Sequence, residues 1–148
     1  MTNDSTSTGL DFLASAEALA AFVAAWEAGT LPKGRWTHAA HVAVGACYTV
    51  RYGAAAFERI KAGILRYNVA VGTRNTETSG YHETLTRFWA NVLAKIVDGC
   101  ENPLEAARTA VSMLGWQRDL PRLYYSFDVV LSSEARRKWI PPDLQGPY

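Results

Sequence analysis

Apolar positions recur along this chain with the 3.6-residue period of an α-helix over most of its length. Leu19, Phe22, Val23 and Trp26 stand at i, i+3, i+4 and i+7, between Ser15, suited to an N-cap, and Gly29, suited to a helix end. A stretch from Leu31 to Trp36 follows, after which Thr37 caps a second helix that runs to about Gly53. The third helix is expected from Ala54 to about Val69, with Phe57, Ile60, Ile64 and Tyr67 on one side. A polar segment, Gly72 to Gly80, interrupts the pattern. The fourth helix is expected from about Tyr81 to Asp98, its apolar face built from Leu85, Phe88, Trp89, Val92 and Ile96. Asn102, Pro103 and Glu105 form a start signal for a fifth, which buries Leu104, Ala107, Val111 and Leu114. Beyond Gly115 only short helices are expected, near Asp119–Tyr125 and Ser132–Arg136, and Pro141-Pro142 stops the second. No stretch shows the β-branched alternation of a sheet. The predicted fold is all-α: a compact four- to five-helix bundle with short C-terminal helices wrapped over it.

Composition narrows the class. A chain of 148 residues with 49% hydrophobic and 20% charged positions fits one globular domain and not a disordered segment. Residues 1–10 are polar and are expected to form a disordered tail, leaving 11–148 as a single helical domain. That start has neither the basic nor the apolar region of a secretory signal, so the cytoplasm is the expected compartment. A net charge of +1 gives no field for nucleic acid or an anionic membrane, and no apolar run reaches the roughly 20 residues of a membrane span. Base rates alone allow a homodimer. Cys47 and Cys100 share no metal-ligand spacing and are expected to be free thiols.

The chemistry concentrates in the histidines. All three of them fall in two motifs that open helices, Trp36-Thr-His38-Ala-Ala-His41 and Tyr81-His82-Glu83-Thr-Leu-Thr86. His38 and His41 lie three apart on one helical face, and His82 is expected on the apolar side of the fourth helix. Imidazoles converging from two helices would form a three-histidine site with positions open to water or substrate. Its expected cofactor is a divalent transition metal, with zinc, iron, nickel and copper all suited to imidazole. Glu83 would act beside it as general base, fourth ligand or hydrogen-bond partner of a ligand; an ion pair with Arg87 is the plainer alternative. Arg35, Tyr67, Thr86 and Trp89 are the candidate contacts to a small-molecule substrate.

At these residues the chain resembles a group of small uncharacterised bacterial proteins. Their shared features are an H-x-x-H motif opening one helix, a stretch matching Phe57 to Ile64, and a Y-H-E-T-x-T motif opening another helix. The likeness extends to Tyr124-Tyr-Ser126, Ala135-Arg136 and Pro142-Asp143-Leu144. It implies that the histidine motifs and the carboxyl-terminal Pro142-Asp143-Leu144 travel together, which favours a shared histidine site, and it supplies no reaction. Three readings follow: a small metal-dependent enzyme, a metal-free enzyme using histidine and Glu83 for acid–base chemistry, or a non-catalytic helical module for ligand binding or interaction.

Overall fold

Every regular element among residues 9–146, which the computed structural model describes, is helical. The helices are α1 (Ala16–Ala28), α2 (His38–Tyr52), α3 (Ala56–Ala70), α4 (Glu83–Ile96), α5 (Pro103–Leu114) and the short α6 (Ser133–Arg137). Short 3-10 turns occupy Asp11–Leu13, Lys33–Arg35, Gly53–Ala55 and Leu120–Leu123. The all-α bundle expected from the periodicity is therefore present. Most of the tail assigned to residues 1–10 lies outside the described residues; Leu10 already accepts the first hydrogen bond of the opening 3-10 turn.

The capping chemistry explains where the helices start. Ser15 Oγ accepts from the Ala18 amide at 3.0 Å, Thr37 Oγ1 from Ala40 at 3.2 Å, and Asn102 Oδ1 from Glu105 at 2.9 Å. Each such cap satisfies an amide that the helix itself leaves unpaired and is worth about 1 kcal/mol. Gly29 ends α1 at φ 77°, a left-handed conformation that favours glycine. Two starts differ from expectation. A 3-10 turn at Gly53–Ala55 delays α3 to Ala56, and α4 begins at Glu83 with His82 as its cap.

Helix α2 is the centre of the bundle. From Ala39 through Tyr48 it is buried on every side except at His41, as a helix of small and apolar residues permits. It packs most extensively against α5, whose Ala106, Ala107 and Ala110 are fully buried. Gly45 lets α4 come close, since a Cβ there would lie 2.6 Å from Leu93 Cδ1. Gly63 of α3 does the same for the Trp26 indole, where a Cβ would meet Cη2 at 2.3 Å.

The C-terminal segment lies across α4. Buried Thr84 donates its hydroxyl to the Lys138 carbonyl at 2.7 Å and accepts from the Ile140 amide at 3.0 Å. Tyr125 donates to the Ile140 carbonyl at 2.7 Å, and the Leu144 amide donates to the Tyr124 carbonyl at 2.9 Å. The polar loop before α4 is pinned as well. Asn75 Oδ1 accepts from Asn68 at 3.0 Å and from the Tyr81 amide at 2.9 Å, and Arg136 donates to the Gly80 carbonyl at 2.8 Å. Among the described residues, no helix is long and apolar enough to cross a membrane.

Candidate functional site

A cavity of about 700 Å³ opens where the start of α2, the first turns of α4 and the turn after α5 meet. Trp26, Trp36, Trp89 and Tyr81 supply aromatic wall. His38, His41 and His82 all border it, as do Thr86 and the charged groups Arg118, Asp119 and Arg122. The volume suits a small organic ligand.

The three imidazoles are held differently. A carbonyl can only accept, so the contact of His41 Nδ1 with the Thr37 carbonyl at 2.7 Å places the proton on Nδ1. Nε2 then carries a bare lone pair, and no partner for it is found among the described residues. His41 borders the cavity and is solvent-exposed, although protein packs around it closely enough to weaken its hydration. That enclosure pushes its pKa down to about 4; the Thr37 carbonyl opposes the shift, while His38 and Arg118 add to it. The positive end of the α2 dipole acts in the same sense, so the ring is neutral near pH 7. The Trp36 ring tilts over it at 3.9 Å between centroids.

His38 donates from Nε2 to the Leu114 carbonyl at 3.0 Å and meets the edge of Trp89 at 5.0 Å. This bond ties the first turn of α2 to the last residue of α5. Burial lowers the His38 pKa, the Leu114 carbonyl opposing it.

His82 is the N-cap of α4. Its Nδ1 accepts from the Leu85 amide at 3.1 Å, and its Nε2–H donates to the Val129 carbonyl at 2.9 Å. Both ring nitrogens are thereby used, the side chain is 6% exposed, and burial holds the imidazole neutral. His82 is buried, as expected, but it precedes the helix and caps it where a place on the helix's apolar face was expected.

This arrangement does not fit the expected three-histidine metal site. Among the described residues no group of three or more His, Cys, Asp or Glu side chains is placed to hold a metal ion. The physical reason is that His82 has no lone pair left to give. At most His38 Nδ1 and His41 Nε2 remain, one ligand short of the three protein ligands usual at a catalytic zinc.

The other candidates divide. Glu83 turns away from the histidines: it accepts from Tyr81 Oη at 2.8 Å and pairs with Lys61 Nζ at 3.0 Å, and these partners hold its carboxyl below the usual range against the opposing effect of burial. Arg87, its other suggested partner, lies over the Phe57 ring at 3.9 Å. Arg35 pairs with Asp11 at 2.9 Å and takes no part in the cavity wall. Tyr67 is buried beside the site and donates to the Leu31 carbonyl at 2.7 Å. Thr86 and Trp89 do line the cavity, although the Thr86 hydroxyl is bound to the His82 carbonyl at 2.7 Å. Arg118, Asp119 and Arg122 were not singled out in the sequence. They follow Gly115, where helical periodicity stops and nothing local aims a side chain.

Comparison with protein-family models, with characterised proteins and with solved structures gives no match.

Proposed function

We propose that this protein is a metal-free acid–base enzyme that binds a small molecule in the aromatic-walled cavity, with His41 Nε2 as the proton acceptor. One observation carries the reading: of the two imidazoles whose tautomer a backbone carbonyl locks while the other nitrogen stays bare, His41 is the exposed one at the cavity and His38 is half-buried. A base needs a lone pair within reach of substrate and a ring that cannot rotate away; Thr37 supplies the second condition. His38 positions the site by joining α2 to the end of α5, and Trp36 and Trp89 provide apolar surface for the substrate. Glu83 has no part in this version of the chemistry.

The test is a panel of activated esters and of carbonyl compounds with exchangeable α-protons, assayed on the purified chain. Turnover that survives chelation and falls about 100-fold in His41→Gln supports the proposal. Its acid limb should lie near pH 4, where His41 takes up a proton. Turnover abolished by chelators and restored by zinc would refute it, as would binding in the cavity without turnover of any compound. An independent check is ethoxyformylation followed by mass spectrometry: the open Nε2 of His41 should react, and His82 should be spared until the protein unfolds.

A further inference from the structure

Two arginines and one aspartate border the cavity. Arg122 pairs with Asp128 at 2.8 Å and with Asp119 at 3.5 Å, so both acids near it are committed to one guanidinium. Arg118 borders the same cavity and is exposed, yet no ion pair joins it to a carboxylate among the described residues. Its field reaches both His38 and His41, which places it beside the accessible imidazole rather than on a remote surface. The turn carrying it is tied back to α5, the Gln117 amide donating to the Leu114 carbonyl at 3.0 Å and the Leu120 amide to the Gln117 carbonyl at 3.0 Å. Leu114 is also the residue that holds His38. The unpaired cation is therefore built on the same framework as the histidine pair.

The rest of the wall is aromatic. Trp36 and Trp89 each pack on one of these histidines, and Trp26 borders the cavity with its buried indole N–H lacking an acceptor among the described residues. A cavity bordered by an arginine that makes no ion pair among the described residues, by neutral imidazoles and by flat apolar walls is complementary to one kind of small molecule. We infer that the substrate is an organic carboxylate carrying a single negative charge and a flat apolar body, the carboxylate meeting Arg118 and the body packing along Trp36 and Trp89. The inference rests on the reading of this cavity as the working site and adds the substrate class. Seating the anion on Arg118 also offsets the cation's effect on His41, so a bound substrate strengthens the base that would act on it.

The experiment is calorimetric titration of the full chain with three probes at pH 7.5 and low salt: 3-phenylpropanoate, its neutral amide, and phenyl phosphate. The carboxylate should bind at least about tenfold tighter than the amide. In Arg118→Gln, an exposed and therefore structurally tolerant position, the carboxylate should fall to the level of the amide while the amide is unchanged. The His41 titration, followed by NMR, should move upward with bound carboxylate in the parent protein and stay put in Arg118→Gln. Equal binding of carboxylate and amide, selectivity that survives Arg118→Gln, tighter binding of the phosphate, or no binding of any probe at millimolar concentration would each overturn the inference. Repeating the titration in His41→Gln separates this claim from the catalytic one. Charge selectivity retained there upholds the carboxylate site even if His41 proves to have no role in turnover.

Discussion

Replacing His82 tests whether this residue is a structural cap or a ligand. In His82→Ala the Leu85 amide loses its acceptor, a change worth about 1 kcal/mol for a typical N-cap. The Val129 carbonyl, on a residue with no exposed surface, loses its donor, which costs about 1–3 kcal/mol more. The expected loss is about 2–4 kcal/mol, before any term for the space vacated. His82→Asn keeps a capping oxygen but not the reach to Val129, so it should fall between the parent and alanine. Protonation offers a second route to the same bond. Burial depresses the folded-state pKa below the ordinary 6.5, with the Val129 carbonyl opposing and Arg136 assisting. The unfolded chain consequently takes up the proton first, so this stabilisation is complete above about pH 6.5 and is lost as pH falls toward the folded pKa. Within that window one such histidine contributes at most about 1.4 kcal/mol per pH unit. His38 and His41 shift in the same direction, and the comparison with His82→Asn isolates the share of His82. Urea unfolding followed by far-UV circular dichroism at several pH values between 5 and 8 measures all of this. A loss below about 1 kcal/mol in His82→Ala, or an unchanged pH slope in His82→Asn, would refute the capping argument. A midpoint that drops on adding a chelator would point to a bound metal.

Three further outcomes are expected. Thr84→Val keeps the shape but removes both bonds to Lys138 and Ile140, so stability should fall by about 1–3 kcal/mol, with faster hydrogen exchange concentrated after Arg137; uniform exchange across the chain would count against the anchoring role. Gly63→Ala should lower the melting temperature despite alanine's better helix propensity, because its Cβ meets the rigid, buried Trp26 ring and overpacking costs about 1–3 kcal/mol; a raised melting temperature would contradict the packing geometry. Burial pushes the Cys47 thiol up to about 11, so a thiol-specific chromophoric reagent should titrate half-buried Cys100 first and reach Cys47 only on unfolding; equal rates would contradict this.

Much of the fold was legible because its causes are local. Ser15, Thr37 and Asn102 cap the helices for which they were read, since a side-chain oxygen needs only an amide two or three residues ahead. The helix read from Thr37 to about Gly53 is present, and the structure adds that its small and apolar run from Ala39 to Tyr48 lies at the centre of the bundle. His38, His41 and His82, read as two motifs, all border one cavity.

What each ring does there was not legible. His41 and Thr37 are four residues apart, so their bond is a matter of helix geometry. The partner of His82 Nε2 is 47 residues away and that of His38 is 76 residues away. A histidine that caps, one that braces and one that stays open are the same letter in a sequence; they are told apart by which carbonyl arrives from a distant segment. The partner of Glu83 was not legible for the same reason: an ion pair with Arg87 was one of the readings, and the packing of α3 on α4 brings Lys61 to it instead. By itself the sequence determined the helices, their caps and the small-residue face that lets them close, since these depend on neighbours within a turn or two. Only the tertiary structure decided which imidazole nitrogens are left without a partner among the described residues and which arginine borders the cavity, because those depend on what the folded chain brings together.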